Sequence, residues 1–142
     1  MSRPPTQKRP KLTRKQEQDA YKIVTARDLG QCQRCGRFGP TDRDHRQNRD
    51  AWNTTVANLQ LLGSAFGCGC HIWKTENPAQ AIAAGFSAPR WADPAEWPAK
   101  RHGVGWVLYY DAPVDGAWWK PITEEQARAL MAGEEEHRDP DR

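Results

Sequence analysis

The four cysteines of the chain form two close pairs, and a histidine directly follows the last of them. Cys32 and Cys35 lie in QCQRCG, and Cys68 and Cys70 lie in GCGCHIWK, where the spacer is a single residue. Structural zinc is tetrahedral and favours sulfur ligands, so we expect one Zn²⁺ ion held by all four thiolates. The alternative is that one or both cysteines of the second, tighter pair are buried thiols without a metal.

Four further residues that could take part in chemistry follow a fixed order along the chain. Asp44 and His45 are adjacent in DRDH. The interval from His45 to Asn58 is 13 residues, and so is the interval from Asn58 to His71. Taken singly, each has a commoner explanation, such as a surface histidine, a turn asparagine or, for His71, a fourth ligand in a Cys₃His zinc site. The combination with the cysteine pairs is what indicates catalysis.

Four fragments resemble, in order, the parts of an HNH endonuclease whose ββα-metal core is stabilised by zinc: CQRC, DRDH, ANLQLL and CHIWKT. The resemblance covers about residues 14–86. Farther along, GFSAPRWADPAEWP and GWVLYYD resemble extensions of actinobacterial phage members of this family. The resemblance implies a phage-encoded, metal-dependent enzyme that hydrolyses DNA phosphodiester bonds by nicking or double-strand cutting.

The resemblance also implies a role for each residue. His45 would be the general base that takes a proton from the attacking water, because imidazole titrates near neutral pH. Asp44, on the other side of the extended segment, would hold the catalytic divalent cation together with His71. Asn58 would hold the loop and orient His45.

The chain departs from the family pattern at two places. Lys74 and Thr75 stand where many members have a further histidine, and the usual Cys-x-x-Cys-His is shortened because Gly67 replaces its first cysteine. Two protein ligands leave more coordination positions to water and phosphate. This favours a hard catalytic ion, Mg²⁺ or Mn²⁺.

Charge is distributed unevenly along the chain. Residues 1–74 carry 14 Lys and Arg against 6 Asp and Glu, whereas residues 75–142 carry 7 against 12. A basic half is typical of a protein that binds a polyanion such as DNA, although a solvated basic face is an equal alternative. We expect four cations around the site to contact the DNA backbone: Arg43, Arg46, Arg49 and Lys74.

We predict an α+β fold. The resemblance implies a ββα-metal (His-Me finger) core with structural zinc knuckles, and local signals add an N-terminal helix and a C-terminal β-hairpin plus short helix. Capping boxes at Thr13 and Thr123 predict helices over 14–29 and up to about Gly133. A further helix begins near Cys70, with an interruption near Pro78. The predicted organisation is a flexible basic arm at 1–13, the nuclease core at 14–86, an extension at 87–133 and a charged tail at 134–142.

The sequence also bears on membrane association and on cellular location. No apolar run approaches the roughly 18 residues of a membrane helix, and the first residues lack a secretory signal, so we expect no membrane partner and a cytoplasmic location in the host cell. The alternatives to a free-standing nuclease are a non-catalytic, zinc-stabilised DNA-binding protein and an accessory nuclease that works only in a phage packaging, recombination or homing complex.

Overall fold

A computed structural model describes residues 10–137, with side chains described for 10–133. Most of the predicted basic arm, 1–9, and the end of the predicted tail, 138–142, lie outside the described residues. Within residues 10–137 the fold is α+β, with four α-helices and two small antiparallel sheets. The helices are α1 (Arg14–Arg27), α2 (Cys70–Glu76), α3 (Pro78–Ala84) and α4 (Glu124–His137). The strands are β1 (Thr41–His45), β2 (Leu59–Gly63), β3 (Ala99–Arg101), β4 (Gly105–Val114) and β5 (Ala117–Pro121).

Helix α1 begins as its capping box predicts. The Thr13 hydroxyl accepts the backbone N–H of Gln16, and the Gln16 side chain accepts the backbone N–H of Thr13. The helix ends two residues earlier than predicted, because Leu29 adopts a left-handed backbone with φ +57°. One face of α1 packs on β2 through a core of buried apolar side chains: Ala20, Val24, Val56, Leu59 and Leu61.

Strands β1 and β2 pair antiparallel, with Asp44 opposite Gln60 and His45 opposite Leu59. A short 3₁₀ turn, Val56–Asn58, leads into β2. Helix α2 follows β2 and contacts it. The break between α2 and α3 lies at Pro78, as predicted, because proline lacks an N–H and restricts the residue before it.

The predicted C-terminal hairpin is present as β4 and β5, joined by a turn at Asp115 (φ +51°) and Gly116 (φ +78°). Positive φ at both positions is typical of a tight type I′ hairpin turn, for which Asp-Gly is favoured. Strand β3 adds a third strand that the sequence did not predict. Helix α4 continues to His137, beyond the predicted end near Gly133.

Arg46 is buried, contrary to its predicted place among the exposed cations that contact the DNA backbone. Its guanidinium donates to the backbone carbonyls of Ala57, Pro94 and Trp97 at 2.7–2.9 Å and to that of Pro98 at 3.2 Å. Burial lowers its pKa to about 10. Arg46 therefore joins the strand β1 region to residues 94–98, across the predicted boundary at residue 86.

Replacing Arg46 with methionine is expected to destabilise the protein by about 3–5 kcal/mol, because buried carbonyl groups would lose their donor. The measurement is the urea midpoint of the zinc-loaded protein. Arg49→Met is the matched control, since the Arg49 side chain is 60% exposed, and it should change stability by about 0.5 kcal/mol or less. Equal midpoints for the two variants would contradict a structural role for Arg46.

Candidate functional site

The four cysteines meet at one place beside the start of α2. Their sulfur atoms, on Cys32, Cys35, Cys68 and Cys70, all lie within 4.8 Å of one another, and none forms a disulfide. In a tetrahedral site with Zn–S bonds of about 2.3 Å, the sulfurs are about 3.8 Å apart. The cluster could therefore hold a metal ion such as zinc after a small contraction. Cys68 belongs to it despite the one-residue spacer.

Two glycines allow Cys68 to reach the other sulfurs. Gly69, between the second pair of cysteines, has φ +76°, a backbone conformation that glycine adopts without strain. Gly63, at the end of β2, lies so close to Cys68 that a β-carbon at that position would overlap the thiol sulfur. The turn and the close approach together bring both cysteines of the second pair to the cluster.

The thiols of the cluster differ in their proton affinity. Burial, opposed by a hydrogen bond from Arg34, raises the pKa of Cys70 to about 12. Burial acts in the same direction on Cys68, but hydrogen bonds from the Cys70 backbone and the neighbouring thiols lower its pKa to about 7. Four adjacent thiolates repel one another, so a bound cation is what would allow all of them to ionise.

A second group of polar side chains, the aspartate cluster, forms where β1 faces α2 and consists of Asp42, Asp44, His71 and Lys74. His71 lies between two aspartates of the strand: its Nδ1 is 2.7 Å from Asp42 Oδ2, and its Nε2 is 3.2 Å from Asp44 Oδ1. The hydrogen bond with Asp44, ahead of that with Asp42, raises the pKa of His71 to about 9. The Asp42 contact fixes the imidazole with Nε2 towards Asp44. Carboxylates orient metal-ligating histidines in the same manner.

Asp44 is almost completely buried and is surrounded by donors. Lys74 Nζ lies 2.9 Å from its Oδ2, and Gln60 Nε2 donates to the same oxygen at 2.9 Å. Burial acts to raise the pKa of Asp44, but the hydrogen bond with His71 and the charge of Lys74 outweigh it and hold the pKa below its usual value. Asp44 is therefore a carboxylate at neutral pH.

His45 lies on the other face of β1, at the end of the strand. Its Nε2 is 2.9 Å from the Thr54 hydroxyl, and its ring packs edge-on against Tyr21. Burial, the largest influence, lowers the pKa of His45 below its ordinary value of 6.5. The imidazole is therefore neutral at physiological pH and able to accept a proton.

Asn58 has no exposed surface and holds the loop that joins β1 to β2. Its side chain accepts the backbone N–H of Gln47 and donates to the carbonyls of Asn53 and Gln47. These hydrogen bonds tie Gln47 to Asn53 across the loop. The hydroxyl that contacts the His45 ring belongs to Thr54 instead.

Comparisons of the chain with family models, curated proteins and solved structures give no match. Within residues 10–137, no helix is long and apolar enough to cross a membrane. Among the described residues, the cysteine cluster is the one group of three or more Cys, His, Asp or Glu side chains whose ligand atoms lie close enough together for a metal. Asp44 and His71 form a two-residue pair beside it.

The other three residues that were predicted to contact DNA differ in their exposure to solvent. Arg43 is exposed and stacks on the Tyr21 ring at 4.5 Å, and Arg49 is exposed beside Glu17. Lys74 lies inside the aspartate cluster, with its side chain 12% exposed.

Three site residues were missed by the sequence prediction: Asp42, Thr54 and Gln60. The first had a readable signal, because side chains two apart on a strand share a face, and DRDH therefore puts Asp42 beside Asp44. The other two depend on strand register and on the path of a loop.

The ion pairs of His71 predict a specific pH dependence of stability. The pKa of His71 is raised in the folded protein, so its contribution is fully present below about 6.5 and is lost as the pH rises through about 9. We expect the difference in urea midpoint between wild type and His71→Gln, both zinc-loaded and free of other divalent cations, to shrink over this range. A constant difference from about pH 6 to about pH 10 would contradict the charged pair.

Proposed function

We propose that the chain is a metal-dependent HNH-type endonuclease that hydrolyses DNA phosphodiester bonds. The observation that carries the proposal is the pairing of Asp44 Oδ1 with His71 Nε2 at 3.2 Å. His45, the residue next to Asp44, has a neutral imidazole on the other face of the strand. Metal-assisted phosphodiester hydrolysis requires ligands for a cation and a nearby base. Asp44 and His71 offer a carboxylate oxygen and an imidazole nitrogen close enough to bind one cation, and His45 is a second imidazole that can take a proton.

The donor set fits a divalent cation. One carboxylate oxygen and one imidazole nitrogen suit Mg²⁺ or Mn²⁺, with water and phosphate in the other positions. When bound, the cation would stabilise negative charge on the phosphorus-bound oxygens and on the leaving 3′ oxygen. A positive charge already lies against Asp44, because the Lys74 ammonium contacts both carboxylate oxygens at 2.9 and 3.1 Å.

His45 would take the proton of the attacking water. When its Nε2–H donates to Thr54, the lone pair lies on Nδ1, which would be the basic atom. Thr54 would therefore position the imidazole. Asn58 would act one step farther away, by holding the loop that carries Thr54.

The zinc in this proposal is structural. Cys70 and His71 are consecutive at the start of α2, so a Zn²⁺ ion on the four cysteines would fix the helix end that carries His71. The cysteine cluster would hold one metal, and Asp44 with His71 would hold the other.

DNA would be held mainly through its phosphates. Arg43 and Arg49 are exposed and contact the α1 side chains Tyr21 and Glu17, and residues 1–74 carry most of the positive charge. Such contacts give affinity without base preference, so binding should weaken steeply with salt.

The test is nicking of supercoiled plasmid by the zinc-loaded protein with Mg²⁺ or Mn²⁺. Asp44→Asn should lose cleavage while keeping its zinc, because the amide cannot replace the charge of the carboxylate. Asp115→Asn is the matched control, since Asp115 lies in the exposed β4–β5 turn. Cleavage by Asp44→Asn at the wild-type rate would refute the proposed site.

One observation favours a second candidate, a non-catalytic zinc-stabilised DNA-binding protein. Lys74 and His71 neutralise Asp44 by themselves, so the buried carboxylate is satisfied without a divalent cation. A salt-sensitive gel shift without cleavage in Mg²⁺, Mn²⁺, Ni²⁺ or Zn²⁺ would support this candidate over the nuclease.

A further inference from the structure

The Lys74 ammonium lies against the buried carboxylate of Asp44. It lies one helical turn after His71 on α2, so both side chains reach the same face of β1. Its Nζ contacts both oxygens of Asp44 and donates to the backbone carbonyl of His45 at 2.8 Å. It is thus a cation bound to the carboxylate that the proposed function assigns to a metal ion.

The charges around Asp44 predict that Lys74 and a divalent cation compete for its carboxylate. Asp42 and Asp44 supply two negative charges, and Lys74 offsets one of them. With His71 as a neutral ligand, a divalent cation would leave an excess of one positive charge beside Asp44 and Lys74, whose side chains are 5% and 12% exposed. Like charges so close together repel more strongly around these two buried groups than they would in open water. The single negative charge of a phosphodiester would cancel the excess.

We propose that Lys74 is an internal counter-cation that keeps divalent-cation affinity low in the free protein and moves to the DNA phosphate when cation and substrate bind together. This inference rests on the proposed function and adds a coupling between cation and DNA. Lys74 is therefore a positioning residue that makes the cation site complete only in the presence of substrate. Its side chain has the length and freedom to change partners, since it is a flexible four-carbon chain ending in a point charge.

The experiment measures Mn²⁺ binding by electron paramagnetic resonance, with zinc-loaded protein in a His45→Ala background to prevent cleavage. Lys74→Met should bind Mn²⁺ roughly tenfold or more tightly than the Lys74 protein. Lys74→Arg, which keeps the charge, should remain weak. Lys22→Met on the exposed side of α1 is the control for loss of a positive charge.

A short DNA duplex supplies the second arm. It should tighten Mn²⁺ binding by the Lys74 protein about tenfold and that of Lys74→Met clearly less, because the phosphate can ligate the cation in both proteins but takes Lys74 away from Asp44 only in the first. Unchanged or weaker Mn²⁺ binding by Lys74→Met, an equal effect of DNA on both proteins, or no Mn²⁺ binding by either would each overturn the inference. Circular dichroism and zinc content verify folding, and Lys74→Gln replaces the methionine variant if that protein does not fold.

The two proposals can fail separately. Coupled Mn²⁺ and DNA binding, in a protein that never cleaves plasmid DNA, would retain the role of Lys74 and remove the nuclease. Cleavage that depends on Asp44, with Mn²⁺ affinity independent of Lys74, would do the opposite.

Discussion

Replacing His45 with alanine is expected to lower the rate of DNA cleavage by about 10²–10⁴-fold, the usual contribution of a general base. Burial keeps this imidazole neutral, and Thr54 holds its Nε2, so both protonation state and orientation suit the proposed role. Because the side chain is removed without touching Asp44 or the cysteines, zinc content and fold should be unchanged. The measurement is the single-turnover rate of plasmid nicking in Mg²⁺.

His102→Ala is the matched control, because His102 is an exposed histidine on the β3–β4 turn and lies outside the aspartate cluster. Thr54→Val should give an intermediate loss, since the base would remain but lose the partner that orients it. Wild-type cleavage by His45→Ala would remove His45 from the mechanism. An equal loss in His102→Ala would point to a general effect on folding.

Local sequence signals predicted the elements that carry the site. The capping box at Thr13, the break at Pro78 and the Asp115-Gly116 turn each depend on neighbouring residues, and all three are present. Cys-x-x-Cys-Gly and Cys-Gly-Cys likewise specify their own tight turns. The four cysteines come together because β1 and β2 pair between them, a step that the order of the fragments suggested.

The features that the sequence did not reveal depend on contacts between distant parts of the chain. An arginine beside a histidine in a polar segment indicates solvent or phosphate, yet Arg46 is enclosed by residues 94–98. In the sequence, Lys74 has the features of a surface cation. In the structure, α2 lies against β1, and Lys74 contacts Asp44 and His45 of that strand. Apart from the Ala57 carbonyl, which is 11 residues from Arg46, the partners of both side chains are backbone carbonyls or a carboxylate at least 29 residues away, and no local pattern encodes them.

Replacing either cysteine of the second pair with serine is expected to remove zinc from the protein. A serine hydroxyl stays protonated and is a poor zinc ligand, and a structural zinc in small folding units contributes about 10–16 kcal/mol of binding free energy to folding. Cys70→Ser should therefore lower the free energy of unfolding by several kcal/mol, and Cys68→Ser should do the same. Metal analysis by mass spectrometry and the urea midpoint check both. Zinc retained by Cys68→Ser but lost by Cys70→Ser would exclude Cys68 as the fourth ligand.

A glycine substitution separates zinc geometry from zinc ligands. Gly63→Ala keeps all four thiols, but its β-carbon would overlap the Cys68 sulfur, so Cys68 must move away from the cluster. We expect zinc affinity to fall with the ligand set intact, and the loss to be larger than in Gly133→Ala, whose added β-carbon meets no neighbouring atom. Weaker zinc binding would also hold Cys70 less firmly. Because Cys70 is bonded to His71, Mn²⁺ binding at Asp44 and His71 should weaken as well. Full zinc and Mn²⁺ affinity in Gly63→Ala would mean that the cluster does not depend on the position of Cys68.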